Sequence, residues 1–171
     1  FCTKEETKSL STPKTMSSGK EHDKATLIIS VPFGVSVGLF LGADLGILGG
    51  LSFLVGGLWL SPDLDTHSIS LKRWGFLKWM WWPYRKSIKH RSIFSHGPFV
   101  GTVLRTTYLI TWLILMLATL KLLGIIELIP IVQKLTNLIK NNPIQIFTVI
   151  LGFESSAMLH LIKDGDPWLL K

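Results

Sequence analysis

Between residues 25 and 60 the chain carries one charged side chain, Asp44, and eight glycines, five of which (Gly34, Gly38, Gly42, Gly46 and Gly50) recur every fourth residue. As one straight helix these 36 residues would reach about 54 Å, against a bilayer hydrocarbon core of about 30 Å. The run must therefore fold back on itself. Gly42-Ala43-Asp44 is the natural turn, which predicts two short helices over residues 25–41 and 45–60. Small residues at every fourth position put a smooth stripe on one face, and such faces let two helix backbones touch in lipid. A glycine-rich helix pair in water is the plainer alternative, disfavoured because each interior glycine weakens a helix there.

The rest of the chain extends the pattern. Residues 99–120 hold only Arg105 as a charge, and residues 143–162 are apolar except around Glu154 and His160. Between them, residues 122–142 mix apolar side chains with Glu127, Pro130, Lys134 and Lys140, and read as a loop followed by an amphipathic helix lying in the membrane interface. A hydrophobic content of 47% with only 17% charged residues, and a mean hydropathy of +0.41, exclude a disordered chain and an ordinary water-soluble domain. The single cysteine, Cys2, excludes an intramolecular disulfide framework and a cysteine-rich zinc module.

The expected fold class is all-α: an integral membrane bundle of four transmembrane helices in two hairpins, with residues 25–171 as one domain. Residues 1–24 form a polar tail rich in Ser, Thr and Lys, without the apolar run of a signal peptide or a span. Met16 opens Met-Ser-Ser-Gly-Lys-Glu-His-Asp, so the first fifteen residues read as an upstream extension or a disordered tail.

The net charge of +7 is concentrated in residues 61–97, where Lys72, Arg73, Lys78, Arg85, Lys86, Lys89 and Arg91 face only Asp63 and Asp65. The positive-inside rule places this loop in the cytoplasm, and an even number of spans brings both termini to the same side. Trp74, Trp79, Trp81 and Trp82 are interleaved with the bases, as indoles at headgroup depth beside anionic lipid would be. The same pattern would suit a single-stranded nucleic-acid platform. Beside four spans, lipid is the expected partner and no nucleic acid is expected.

All five histidines have an acid or another histidine close in sequence. His22-Asp23 precedes the first span, and Pro62-Asp63-Leu64-Asp65-Thr66-His67-Ser68 follows the second. His90-Arg91-Ser92-Ile93-Phe94-Ser95-His96 precedes the third span, and His160 and Asp164 close the fourth at helical i, i+4 spacing. Each cluster has a plain structural reading. His22-Asp23 suits a helix N-cap, the Asp63 to His67 run suits a turn, His90 and His96 suit a basic interfacial face, and His160 suits a snorkelling helix end. Four crossings, however, put all four clusters on one side of the membrane. Imidazole and carboxylate without thiolate suit a divalent cation, Zn²⁺ first, with Mn²⁺ or Fe²⁺ as alternatives. The candidate ligands are His22, Asp63, Asp65, His67, His90, His96, His160 and Asp164, with Asp23 beside them. They are too many for one four-coordinate ion, so some are supporting partners or two metals sit a few ångströms apart. A shared site requires the side chains of His96 and His160 to lie within about 10 Å of each other, since His–metal bonds are about 2 Å long.

Gly19-Lys20-Glu21-His22-Asp23, Pro62-Asp63-Leu64-Asp65-Thr66-His67-Ser68, Trp82-Pro83-Tyr84-Arg85-Lys86 and His90-Arg91-Ser92-Ile93-Phe94-Ser95-His96-Gly97 resemble a family of uncharacterised cyanobacterial and bacterial metal-binding membrane proteins. That family is similar to the LexA-binding inner-membrane metal-dependent hydrolases and, more distantly, to the phospholipase C and P1 nuclease group of zinc phosphoesterases. The resemblance runs from about Met16 to Asp164 and implies a metal-dependent hydrolase, with His160 and Asp164 as a ligand pair. The chain departs from the phosphoesterases in its short spans, abbreviated Asp166-Pro167-Trp168 tail and missing terminal Trp ligand, so their trinuclear arrangement is not carried over.

The expected activity is hydrolysis of a phosphoester or other ester near the cytoplasmic membrane face. Asp23 or Asp63 would be the general base, and Arg91 the group that binds substrate phosphate. Arg105 and Glu154 are intramembrane ionisable groups, expected to pair with each other or to serve function. Two rivals stand beside this reading: a non-catalytic metal-binding membrane protein, and a membrane adaptor that uses the basic Trp-rich loop.

Overall fold

The computed structural model describes residues 18–165, and the polar segment 1–17 and the Asp166-Pro167-Trp168 tail lie outside them. The described chain folds into helices α1 (Gly19–Leu41), α2 (Ala43–Trp59), α3 (Ile69–Arg73), α4 (Trp82–Ser87), α5 (Ile93–His96), α6 (Val100–Leu122), α7 (Leu128–Asn141) and α8 (Pro143–Asp164), with short 3-10 segments at Pro62–Asp65 and Gly75–Trp81. Among the described residues there is no strand, so the fold is all-α. Among the described residues four helices are long and apolar enough to cross a membrane.

The first helix starts at Gly19, six residues ahead of the expected Ala25. The reason is local. Ser18 is the N-cap, and the Glu21 carboxylate accepts a hydrogen bond from the Ser18 amide at 2.7 Å, the reach-back half of a capping box. His22 and Asp23 therefore lie inside the first turns of α1, not at its cap.

The turn between α1 and α2 is Gly42 alone, at φ 99°, a backbone conformation that side-chain-bearing residues rarely adopt. The glycine stripe works as its spacing suggests. A Cβ placed on Gly46 would sit 2.7 Å from the Gly34 carbonyl oxygen, and one on Gly34 would sit 2.9 Å from that of Gly46. The opposite side of α2 takes α8, where a Cβ on Gly152 would lie 2.7 Å from Ser52 Cβ and 2.9 Å from the Phe53 amide. The result is a close-packed α1–α2–α8 layer. The last span, α8, packs mainly along α2; α6 meets it near Phe99 and is linked to it by the amphipathic α7.

Burial is inverted relative to a soluble protein. Inside the layer lie Thr26, Ser30, Ser52, Thr148 and Ser156, while Leu39 and Phe40 are 80% and 86% exposed. Lipid tails solvate such an apolar exterior, and small polar residues let helices approach and bond within it.

Residues 61–97 were expected as a basic loop with its tryptophans at headgroup depth. They form instead a folded cap around Leu64, Leu71, Trp81 and Tyr84. Trp81 is fully buried and packs edge-on against Trp74 and Tyr84, so it belongs to the cap core and not to the interface. Trp79 and Trp82 do face outward. Arg73 ties the cap to the bundle: it donates to the Leu58 carbonyl at 2.9 Å and pairs with Asp23 of α1. Burial pushes the Tyr84 phenol above its ordinary pKa, partly opposed by the nearby Arg105 charge, so Tyr84 sits in the cap as a neutral hydroxyl.

Candidate metal centre

Two helix ends and the first turn of the cap converge on one cluster. Asp63 arrives on the 3-10 turn after α2, held by the Ser61 side chain, which accepts from the Asp63 amide. His96 ends α5, and His160 and Asp164 occupy the last turns of α8 on one face. His160 Nε2 lies 3.5 Å from Asp63 Oδ1 and 3.3 Å from Asp164 Oδ2, and His96 Nε2 lies 3.8 Å from the same Asp63 oxygen. The rings of His96 and His160 are 6.1 Å apart, well inside the reach of one ion.

These separations carry information. Donors about 2.1 Å from a tetrahedral ion lie about 3.4 Å from one another. Direct hydrogen bonds between the same atoms would be shorter, near 2.8 Å. The His160 Nε2 atom is enclosed and aligned with neither carboxylate as a hydrogen bond, which is costly for a buried nitrogen unless something else satisfies it. Asp63, His96, His160 and Asp164 thus fit a divalent cation in donor type and in spacing.

The surrounding contacts are of another kind. His22 Nε2 is 2.8 Å from Asp164 Oδ1, an ordinary hydrogen bond, and the His22 ring stacks on His160 at 3.9 Å. His90 Nδ1 is 2.9 Å from Asp65 Oδ1. Asp65 Oδ2 also faces His96 Nδ1 at 3.7 Å, making a second group of Asp65, His90 and His96. His22, Asp65 and His90 therefore sit where partners that orient metal ligands sit. Two serines play the same part. Ser61 Oγ is 3.4 Å from His160 Nδ1, and Ser95 Oγ is 3.0 Å from His96 Nδ1, so each histidine has its Nε2 toward the cluster and a hydroxyl behind it. Both were missed as site residues in the sequence, although Ser61 stands two positions before Asp63 and Ser95 directly before His96.

Two expected site residues fall elsewhere. Asp23 is taken up by Arg73 and is outside both groups. His67 is exposed beside Lys72 and Lys78, because Thr66 adopts an extended backbone that ends the 3-10 turn and swings the chain away. Arg91 follows His90 in a left-handed conformation at φ 58° and is half-buried.

Arg105 and Glu154 do not hydrogen-bond to each other. Arg105, 2% exposed, donates to the Ser95 carbonyl at 2.7 Å. The Glu154 carboxylate accepts from the Phe99 amide at 2.9 Å. They bracket His96 from the two sides of its own segment. Gly101 makes room for this: a Cβ there would lie 2.6 Å from the Ser95 oxygen and 3.1 Å from the Arg105 guanidinium.

Span-length apolar helices gathered over a buried imidazole–carboxylate cluster define a helical protein built to bind metal. The chain belongs to the uncharacterized metal-binding protein family (DUF2227), whose model matches residues 17–168. It is also similar to an uncharacterized protein of Aquifex aeolicus, 46% identical over 61 residues, which are 35% of this chain and 43% of that one. The chain thus spans less than half the length of that relative in the match. No solved structure matches it.

Proposed function

We propose that the protein is a divalent-metal hydrolase of the membrane, acting on a phosphoester or other ester at the cytoplasmic face, with Zn²⁺ as the expected ion. The observation that carries this is Asp63. Its Oδ1 faces both His96 and His160 at coordination spacing, while its side chain remains 23% exposed where His96 is sealed. A centre with one accessible edge leaves room for water and substrate, as catalytic sites require. A divalent cation there would supply Lewis acidity, acidifying water and polarising a phosphoryl or carbonyl oxygen.

The protein's own groups take distinct roles in this reading. His96, His160 and Asp164 are ligands, Asp63 is a ligand or the general base on the open edge, and Arg91 binds substrate phosphate.

A second reading, metal binding without catalysis, is favoured by the number of donors. Four ligands with His22, Asp65 and His90 around them are enough to saturate an ion. Hydrolysis of bis-p-nitrophenyl phosphate separates the two. Turnover that needs added metal and falls at least about 100-fold in Asp63→Asn, as loss of a group acting in general acid–base catalysis would, supports the hydrolase. Stoichiometric metal without turnover on this or on carboxylic esters supports the second reading.

A further inference from the structure

Two grooves on the cap side meet at one side chain. The first, about 390 Å³, is lined by Lys72, Lys78 and Arg85 together with Phe76, Trp79 and Trp82. The second, about 520 Å³, runs along α6 and is almost wholly apolar, lined by Trp79 with Trp112, Leu113, Met116 and Leu120. Trp79 borders both, and its ring packs edge-on against Trp112 at 5.1 Å. No carboxylate pairs with Lys72, Lys78 or Arg85 among the described residues, and Arg85 Nε is buried without a hydrogen-bond partner. Phe76 and Trp82 are 82% and 61% exposed, an unusual cost in water for residues of a folded cap.

We infer that the paired grooves hold one anionic phospholipid, its phosphate among Lys72, Lys78 and Arg85 and an acyl chain along α6. Three unpaired bases with no acid in the lining complement a phosphate, with the planar guanidinium of Arg85 matching its oxygens. Indoles at the junction suit the boundary between headgroup and chain. The apolar extension decides the class of occupant. A single-stranded nucleic acid would use the bases and aromatic faces but has nothing to lay along Leu113, Met116 and Leu120. The site is separate from the metal cluster and accounts for His67, which lies at the edge of the basic groove.

Native mass spectrometry of the detergent-purified full chain, incubated with equal phosphatidylglycerol and phosphatidylcholine, tests this. The expected result is at least tenfold preferential retention of one phosphatidylglycerol, undisturbed by 10 mM inorganic phosphate. A Lys72→Gln/Lys78→Gln/Arg85→Gln variant should bind both lipids alike, since each base near an anionic lipid contributes roughly fivefold. Lys134→Gln/Lys140→Gln, which removes charge from α7, should keep the preference, and circular-dichroism melting checks that both variants fold. Equal retention of the two lipids by the unaltered protein, or preference surviving in the triple variant, overturns the inference. Displacement by inorganic phosphate would assign the groove to a soluble phosphate. Loss of oligo(dT) binding with lipid retention unchanged would assign it to nucleic acid.

Discussion

His22 Nε2 sits 2.8 Å from Asp164 Oδ1, so the first turns of α1 grip the last turn of α8 across 142 positions of sequence. The other oxygen of Asp164 faces His160 at 3.3 Å. One carboxylate therefore serves the cluster on one side and is steered by a histidine on the other. His22→Ala should leave Asp63, His96, His160 and Asp164 in place and lower metal affinity by about 10- to 100-fold, the usual effect of losing a partner that orients a ligand. Asp23→Asn, one residue on, breaks only the tie to Arg73. It should leave metal affinity unchanged and cost about 1 kcal/mol or less of stability, since both partners are partly exposed. Competition with a chromogenic chelator reads both variants, and equal effects from the two would contradict the division of roles.

Arg105 and Glu154 should act through His96 without touching the centre. Arg105→Gln shortens the group that holds the Ser95 carbonyl, and Glu154→Gln weakens the acceptor for the Phe99 amide. Each should lower melting temperature, by the loss of about 2 kcal/mol for a buried charge-assisted hydrogen bond. Each should also weaken metal binding, and Arg105→Lys should recover part of both. Unchanged metal affinity in a destabilised variant would reduce these residues to structural ties.

The α1–α2 contact makes a sharper steric demand. Gly46→Ala puts a methyl 2.7 Å from backbone atoms of α1, which neither helix can move cheaply, whereas Gly38→Ala meets its nearest neighbour at 3.5 Å, an ordinary contact. The first should cost about 1 to 3 kcal/mol by overpacking. The second should be close to neutral. Unfolding in mixed micelles by titrated dodecyl sulfate measures the pair.

How much of this was legible in the sequence depended on the range of the signal. The hairpin was readable because glycine spacing and the length of the apolar run are local, and the Ser18–Glu21 box that moved the helix start was present but unread. The acids and histidines were visible as four clusters. What sorts them is long-range. Asp63, His96, His160 and Asp164 take coordination spacing, while Asp23 and His67 are turned away by Arg73 and by the extended Thr66. The cap was hidden for another reason: Trp81 and Tyr84 carry the same tryptophan-and-base pattern as interfacial residues, and only packing against Leu64 and Leu71 distinguishes them.

The basic cap and the helix count together predict that the cluster faces the cytoplasm. With Cys2 replaced by Ser, a cysteine at Lys78 should be shielded from a membrane-impermeant maleimide in intact cells, and one at Asn141 should react. The reverse pattern would place the cluster on the outside.

Metal content of the purified chain is the most direct measurement. Inductively coupled plasma mass spectrometry of protein washed free of adventitious ions should find about one equivalent of a divalent metal of the zinc, manganese or iron type. His160→Ala and Asp63→Ala should lose it while His67→Ala retains it, because only the first two face the shared coordination space. Less than a tenth of an equivalent in the unaltered protein after growth and dialysis with each of these ions, or full content in His160→Ala, would contradict the metal centre.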